Sequence, residues 1–168
     1  SDDITAEGKA DIKGDGTTTL IKAASTVTIY LGSETTDNNY WGKVISNIRF
    51  KNVTLLLGKT SDDKCLGMTI SDCYWSNSDI WCIITRHNSA FLHFTNLFAD
   101  NVKGLIYVNG SDENNNSVIN SGSTVKIENC TCVNSSVSGL YIKDTGNDGM
   151  SYNVDNCSFE HMPYSVYI

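Results

Sequence analysis

Three acidic side chains and one histidine could cleave a glycosidic bond. Asp112, Glu113, Asp144 and His87 all lie in polar segments that follow short apolar stretches. Acid–base cleavage needs two carboxyl groups about 5–5.5 Å apart for retention, or about 6.5–9.5 Å apart for inversion. Loops stacked on neighbouring coils about 4.8 Å apart could meet either requirement. The ordinary alternative is a solvated loop surface, because most acidic side chains in polar loops serve no other purpose.

No pattern predicts a resident metal or cofactor. The six cysteines include no Cys-x-x-Cys pair, and Cys130 and Cys132 are separated by a single residue, so a zinc site is not expected. Calcium would be expected only if the chain were a lyase, since it would need a cluster of acidic oxygen ligands.

A second set of residues could bind sugars without cleaving them. In the third predicted strand of each repeat, the central residue lies between inward-facing apolar neighbours, so alternation directs it outward. These residues are Tyr30, Ile83, Tyr107, Tyr141 and Tyr167, with Arg86 beside them in the following loop. Aromatic faces pack on the apolar faces of sugars, so the stripe predicts a carbohydrate-binding face. Two alternatives are cross-strand aromatic packing and a face covered by a partner chain.

The candidate catalytic and sugar-binding residues must both be positioned by repeats in which apolar and polar residues alternate. Five stretches read apolar, polar, apolar, polar, Asn or Asp, and then an apolar residue or Cys. Their Asn or Asp markers are Asn52, Asp72, Asn96, Asn129 and Asn156, at spacings of 20, 24, 33 and 27 residues. Variable periods of this size indicate a solenoid of about six coils, and the alternation predicts strand, turn, strand. We therefore expect one all-β domain over residues 1–168, less regular over 1–44 and regular over 45–168.

Cysteines directly follow three of the markers. Cys73, Cys130 and Cys157 are therefore expected to point inward and to stack in the core, since free cysteine is among the most buried residue types. Disulfides between coils are geometrically possible, but an interior column of thiols is the simpler interpretation.

The repeated pattern apolar-x-apolar-x-Asn-Cys-x-Phe and the opening Ile12-Lys13-Gly14-Asp15-Gly16 resemble the pectate-lyase-like superfamily. The resemblance implies a single-stranded right-handed parallel β-helix, whose markers stack as a structural ladder that is acidic at Asp72. It also implies a saccharide groove on the third-strand face. Polysaccharide lyases, glycosidases, phage tailspikes and bacterial surface proteins share this architecture, so it selects no single activity. The family's catalytic motifs match no positions in this chain.

Charge and composition exclude several partners. The formal charge is -7, and without a basic stripe neither nucleic acid nor an anionic membrane surface is expected. The longest apolar run, Ile80–Ile84, is too short to insert across a bilayer. A neutral or weakly charged partner, or one that is bridged through a cation, is easier to reconcile with this composition.

Solenoid ends need covering, because an open last coil exposes core residues and strand edges. The sequence predicts no capping helix and reaches Ile168 within a strand. We therefore expect a fragment of a longer helix, or self-association through uncapped ends. Three functions follow as hypotheses: an extracellular, cell-surface or virion module that binds polysaccharide, a polysaccharide lyase or endoglycosidase, and a spike or filament subunit.

Overall fold

The chain folds as a parallel β-solenoid, and the residues that the structure describes include no helix. The structure is a computed structural model that describes residues 4–6, 11–15, 20–31, 40–58, 65–86, 89–109, 124–143 and 151–168. Its strands are β1 (Ile4–Ala6), β2 (Ile12–Lys13), β3 (Leu20–Leu31), β4 (Tyr40–Trp41), β5 (Val44–Ser46), β6 (Arg49–Leu57), β7 (Cys65–Leu66), β8 (Thr69–Ser71), β9 (Tyr74–Thr85), β10 (Ser89–Ala90), β11 (Leu92–Thr95), β12 (Phe98–Asn109), β13 (Thr124–Glu128), β14 (Thr131–Val133), β15 (Ser138–Lys143), β16 (Ser151–Asp155), β17 (Ser158–Glu160) and β18 (Tyr164–Tyr167).

Three parallel sheets form the walls of the solenoid. A six-stranded sheet runs in the order β2-β5-β8-β11-β13-β16, and a three-stranded sheet in the order β4-β7-β10. The long, nine-stranded sheet follows β1-β3-β6-β9-β12-β14-β17, with β15 paired to β12 and β18 paired to β15. Each of these strands therefore pairs with the equivalent strand of the next rung, and the chain climbs by one rung per circuit.

The solenoid has about four turns, fewer than the six predicted coils, although the predicted fold class is confirmed. The Asn and Asp markers lie at the turn between the six-stranded sheet and the long sheet, so their spacing counts how often the chain passes that turn. A complete turn also passes the three-stranded wall, where three strands are described. The prediction therefore counted rungs of one wall and not complete circuits.

Alternation builds the core as predicted. Along the six-stranded sheet, Ile45, Ile70, Phe94 and Ile127 occupy successive rungs in register and are all buried. On the long sheet, Trp75 stacks on Phe50 of the previous rung with ring centroids 4.8 Å apart. Stacking of like positions thus gives a continuous apolar interior.

The first asparagine column lies at the turn from the six-stranded sheet to the long sheet. It contains Asn47, Asp72, Asn96, Asn129 and Asn156, all left-handed with φ between 48° and 59°. Asparagine and aspartate tolerate this backbone better than other residues with side chains. The Asn96 Nδ2 donates to Asp72 Oδ1 at 3.0 Å, and Asn156 Nδ2 donates to Asn129 Oδ1 at 2.7 Å. A carboxylate at Asp72 therefore serves as an acceptor within an otherwise amide column.

Asn52 does not belong to this column, so its predicted place was wrong. Strand register pairs Val44 with Thr69 and Arg49 with Tyr74, which places Asn47 beside Asp72. A second asparagine column lies five residues further along each rung and contains Asn52, Asn77, Asn101, Asn134 and His161, all with φ between 51° and 57°. Each rung contains two left-handed turns that favour asparagine. The sequence prediction assigned Asn52, which belongs to the second asparagine column, to the first column.

The predicted thiol column is interior. Cys73 and Cys130 are buried and Cys157 is half-buried, and these three are thiols without a disulfide. Each of the three thiols donates a bond of 3.2 Å to the carbonyl two residues before it. Burial raises the pKa of Cys73 to about 11 and that of Cys130 to about 12, so both remain neutral thiols at ordinary pH.

Candidate functional site

Trp81 and Gly104 are neighbours on β9 and β12 of the long sheet, in the part that corresponds to the third predicted strand of each repeat. Strand register places Trp81, Gly104, Ser138 and Tyr164 on successive rungs. A Cβ at Gly104 would lie 2.0 Å from Trp81 Cζ3 and 2.5 Å from the Ser138 carbonyl oxygen. The absence of a side chain at Gly104 therefore lets the Trp81 indole lie across the next rung.

Four tyrosines complete an aromatic cluster around this indole; we call Trp81, Tyr107, Tyr141, Tyr164 and Tyr167 the aromatic cluster. Trp81 lies 5.3 Å from Tyr107 and 5.9 Å from Tyr141 between ring centroids. Tyr141 and Tyr167 are stacked at 4.7 Å with an interplanar angle of 14°. Tyr107 stands at 88° to Tyr141, and Tyr164 contacts Tyr167 edge-on at 5.2 Å. The cluster therefore spans four rungs with rings in two orientations.

Three of the predicted stripe residues are brought together, namely Tyr107, Tyr141 and Tyr167. Ile83 is not, since it pairs with Leu55 and Ile106 in the core and is fully buried. The outward position in that rung is Ile84, which pairs with Leu56 and Tyr107. Tyr30 lies in the same column beside Leu56, so two aliphatic rungs separate it from the aromatic cluster.

Arg86 lies close to Tyr107 of the cluster, and its predicted role in sugar binding stays a prediction. It follows Ile84 by two residues on the same side of the strand, and its charge acts on Tyr107. Its Nε is buried and has no hydrogen-bond partner among the described residues. Its carbonyl oxygen accepts from Ser89 Oγ at 2.7 Å, and a Cβ at Gly58 would lie 2.8 Å from that oxygen. The guanidinium is therefore held by a fixed backbone and keeps donor capacity.

Burial raises the pKa of the Tyr107 phenol. The nearby Tyr141 raises it further, and the positive charge of Arg86 partly opposes both effects. Tyr107 is therefore a neutral phenol at ordinary pH, able both to donate and to accept a hydrogen bond.

A polar depression, which we call the corner pocket, lies on β9 and β12, the strands that also carry Trp81 and Tyr107. It has a volume of about 360 Å³ and is lined by Asn77, Ser78, Asp79, Asn101, Val102 and Ser136. Asn101 Nδ2 donates to Asn77 Oδ1 at 3.0 Å, and Ser136 Oγ lies 3.4 Å from Asp79 Oδ1. The corner pocket is therefore built on the second asparagine column, across three rungs.

A second aromatic grouping lies elsewhere on the long sheet; we call Arg49, Tyr74 and Phe98 the arginine–aromatic column. Tyr74 and Phe98 stack at 5.2 Å with an interplanar angle of 8°, and the Arg49 guanidinium lies 4.9 Å from the centre of the Tyr74 ring. In this column, the faces of the Tyr74 and Phe98 rings are packed on each other.

The proposed catalytic residues Asp112, Glu113, Asp144 and His87 lie outside the described residues. Within the described ranges, no group of three or more His, Cys, Asp or Glu side chains is arranged to hold a metal ion. In the same ranges, no helix is long and apolar enough to cross a membrane. The enzyme hypothesis and its calcium corollary therefore remain predictions from sequence.

Sequence reasoning missed Trp81, Tyr164 and the corner pocket. The run Ile80–Ile84 is apolar throughout, so alternation alone leaves its register open. One signal was present: Trp81 aligns with Gly104 and Ser138 in the following rungs, and small residues beside a large ring indicate that the ring lies over them. The corner pocket had no such signal, because Asp79 and Ser136 meet across 57 residues.

Compared with known protein families and with curated protein sequences, the chain has no match.

Proposed function

We propose that this protein is a non-catalytic module that binds polysaccharide on the aromatic cluster. The observation that carries the proposal is the contact of Tyr107, Tyr141 and Tyr167 across three rungs. These rings are half-buried or exposed, and the buried Trp81 indole packs against Tyr107 and Tyr141. Sugar-binding surfaces combine aromatic area with a few fixed polar groups, and here Arg86 and the phenol hydroxyls supply those groups.

Ring orientation separates two roles within the cluster. Tyr141 and Tyr167 stack nearly parallel, so they use their faces on each other and stabilise the sheet. Trp81 and Tyr107 are inclined at 35° to each other and stand steeply to Tyr141, at 69° and 88°. A sugar would then pack on the accessible part of Tyr107, with the tyrosine stack as a wall and the buried Trp81 indole as a support.

The proposal extends the resemblance to the pectate-lyase-like superfamily, in which the equivalent face holds saccharide. It places the protein outside the cell, on a cell surface or on a virion, where polysaccharides are encountered. The net charge of -7 supports a glycan of low charge over a strongly anionic one, since like charges repel.

A matched pair of tyrosine variants tests the proposal. Tyr107→Ala should weaken binding of a glycan-array hit by at least about tenfold, because aromatic anchors dominate small interfaces. Tyr74→Ala removes an equally large ring from the arginine–aromatic column and should leave affinity unchanged. Equal affinities of both variants and the unmodified protein for every glycan bound would contradict the proposal, as would a complete absence of glycan binding.

Self-association is a second candidate, favoured by exposed apolar side chains on β16 and β18. Val154 is 41% exposed and Val166 is 44% exposed, whereas their partners Ile127 and Leu140 on the preceding rung are fully buried. Strands β16, β17 and β18 also form sheet edges within the described part of the chain. Another solenoid end stacked there would cover this apolar edge.

Light scattering across a concentration series tests this second candidate. The unmodified protein should assemble with increasing concentration, and the double variant Val154→Glu, Val166→Glu should stay monomeric. A strict monomer at high concentration in the unmodified protein would rule out self-association.

A further inference from the structure

We infer that the corner pocket is a subsite for the hydroxyl groups of an uncharged sugar, on the same glycan chain as the units that pack on the tyrosines of the aromatic cluster. The inference rests on the proposed glycan function of the aromatic cluster and adds to it the chemical class of the glycan.

The pocket and the cluster lie on the same strands. Asn77 and Asn101 line the pocket on β9 and β12, and Tyr107 follows Asn101 by six positions on β12. Six positions on a strand correspond to at most about 20 Å. A glycan of several units could therefore contact the pocket and the tyrosines of the cluster together.

The lining selects hydroxyl groups. Asn77, Asn101 and Ser136 each carry donors and acceptors, and Asp79 contributes a carboxylate that accepts only. Vicinal hydroxyls of a pyranose can both donate to one carboxylate, which gives charge-assisted hydrogen bonds. The volume of about 360 Å³ lies at the small end of the range for ligand pockets, about 300–1,000 Å³, and suits one or two sugar units.

The same lining disfavours anionic sugars. Asp79 is exposed and is the one charged side chain that lines the pocket among the described residues. A uronate or sulfate placed there would meet a like charge without a compensating cation, which costs binding energy. The pocket therefore favours a neutral hexose over an acidic one.

The second asparagine column keeps the lining in place. Asn77 and Asn101 have φ of 51° and 54°, and the bond from Asn101 to Asn77 joins the two rungs. Their side chains are therefore held before a ligand arrives, which reduces the entropy lost on binding.

Calorimetric titration of the full chain with neutral cello-, manno- and laminari-oligosaccharides and with oligogalacturonate tests the inference. At least one neutral oligosaccharide should bind more tightly than oligogalacturonate. Asp79→Ala should weaken that binding by about tenfold, because it removes the acceptor of the charge-assisted hydrogen bonds. Asp79→Asn keeps an acceptor and should weaken it less. Asp155→Ala, which removes an exposed carboxylate from the six-stranded sheet, is the matched control and should bind normally.

The outcomes separate the two proposals. Binding that is lost in Tyr107→Ala but unchanged in Asp79→Ala overturns the pocket inference and leaves the aromatic site in place. Tighter binding of oligogalacturonate than of every neutral oligosaccharide also overturns the inference alone. Absence of binding by the unmodified protein overturns both. A second readout is the side-chain amide resonances of Asn77 and Asn101, which should shift on addition of the neutral ligand and should not shift in Asp79→Ala.

Discussion

The first asparagine column and the aromatic cluster are both built by stacking one rung on the next, yet they repeat differently. In the column, every rung supplies the same kind of residue with the same left-handed backbone, from Asn47 to Asn156. In the cluster, successive rungs of one line supply Trp81, Gly104, Ser138 and Tyr164. The column is uniform because each rung needs the same turn, whereas the cluster combines large and small residues.

The difference indicates that the column and the cluster have different roles. A turn repeated in each rung fixes the register of the whole solenoid, so changing it should affect stability and leave glycan binding unaltered. A glycine beneath an indole is required only where that indole lies, so the mixed line serves one local surface. Variants of the two regions should therefore separate stability from binding.

The largest expected effect on stability comes from the ionisation of the buried thiols Cys73, Cys130 and Cys132. Burial raises the pKa of Cys73 to about 11 and that of Cys130 and Cys132 to about 12, from an ordinary value of 9.0. Below pH 9 both folded and unfolded states keep these protons, so stability is independent of their titration. Between pH 9 and about 12 the unfolded state loses protons that the folded state retains, so stability falls as pH rises.

Urea unfolding under reducing conditions from pH 8 to pH 11 measures this loss. Each unit of pKa difference corresponds to about 1.4 kcal/mol, so the three thiols together should lower the free energy of unfolding by several kcal/mol. The triple variant Cys73→Ala, Cys130→Ala, Cys132→Ala should show a much flatter dependence on pH. An equal slope in both proteins would contradict a thiol origin.

The next largest effect is expected at the cluster. Gly104→Ala places a methyl group 2.0 Å from Trp81 Cζ3 and 2.5 Å from the Ser138 carbonyl oxygen, so the indole must move. Overpacking of this kind costs about 2 kcal/mol, and the displaced indole should also weaken glycan binding. Gly42→Ala is the control, because its Cβ would meet no atom within 4 Å and it bears only the cost of its positive φ, about 1 kcal/mol. Urea midpoints and tryptophan fluorescence report both effects; a smaller loss in Gly104→Ala than in Gly42→Ala would refute the packing argument.

The same comparison explains what could be predicted from sequence. The parallel solenoid and its buried thiols were predictable because their signal recurs in each rung, and Cys73 and Cys130 lie where alternation placed them. Asn52 was misplaced because Asn47 and Asn52 offer the same turn chemistry five residues apart, and only strand register distinguishes them. Ile83 was misplaced because an unbroken apolar run does not reveal which side chains face outward. The corner pocket joins residues far apart in the chain, so its geometry depends on register that no local pattern contains.

A smaller effect is expected from the asparagine column itself. Asn129 has φ of 53° and accepts a hydrogen bond from Asn156 Nδ2. Asn129→Ala should cost about 1–2 kcal/mol, because a residue with a Cβ and no polar side chain disfavours this backbone. Asn129→Gly tolerates the backbone and should lose only the side-chain bond, about 0.5–1 kcal/mol at an exposed site. Chemical denaturation should therefore rank the alanine variant as the less stable, and neither variant should change glycan affinity; the reverse order would show that the hydrogen bond outweighs the backbone preference.

The smallest effect is expected in the arginine–aromatic column, which tests whether any stacked aromatic group on the long sheet would bind glycan. Arg49 lies 4.9 Å from the Tyr74 ring centre, and an exposed cation–π contact contributes about 0.5–1 kcal/mol. Arg49→Gln should lower the unfolding free energy by about 0.5 kcal/mol, and this loss should disappear in the Tyr74→Ala background, since the ring that receives the cation is then absent. Lys22→Gln removes an exposed cation from the same wall and should have no comparable effect.

Because the Tyr74 and Phe98 faces are already stacked on each other, none of these changes should alter glycan affinity. A loss of binding on Arg49→Gln would instead show that exposed stacked rings suffice, and that the inclined orientation of Tyr107 is not what distinguishes the cluster.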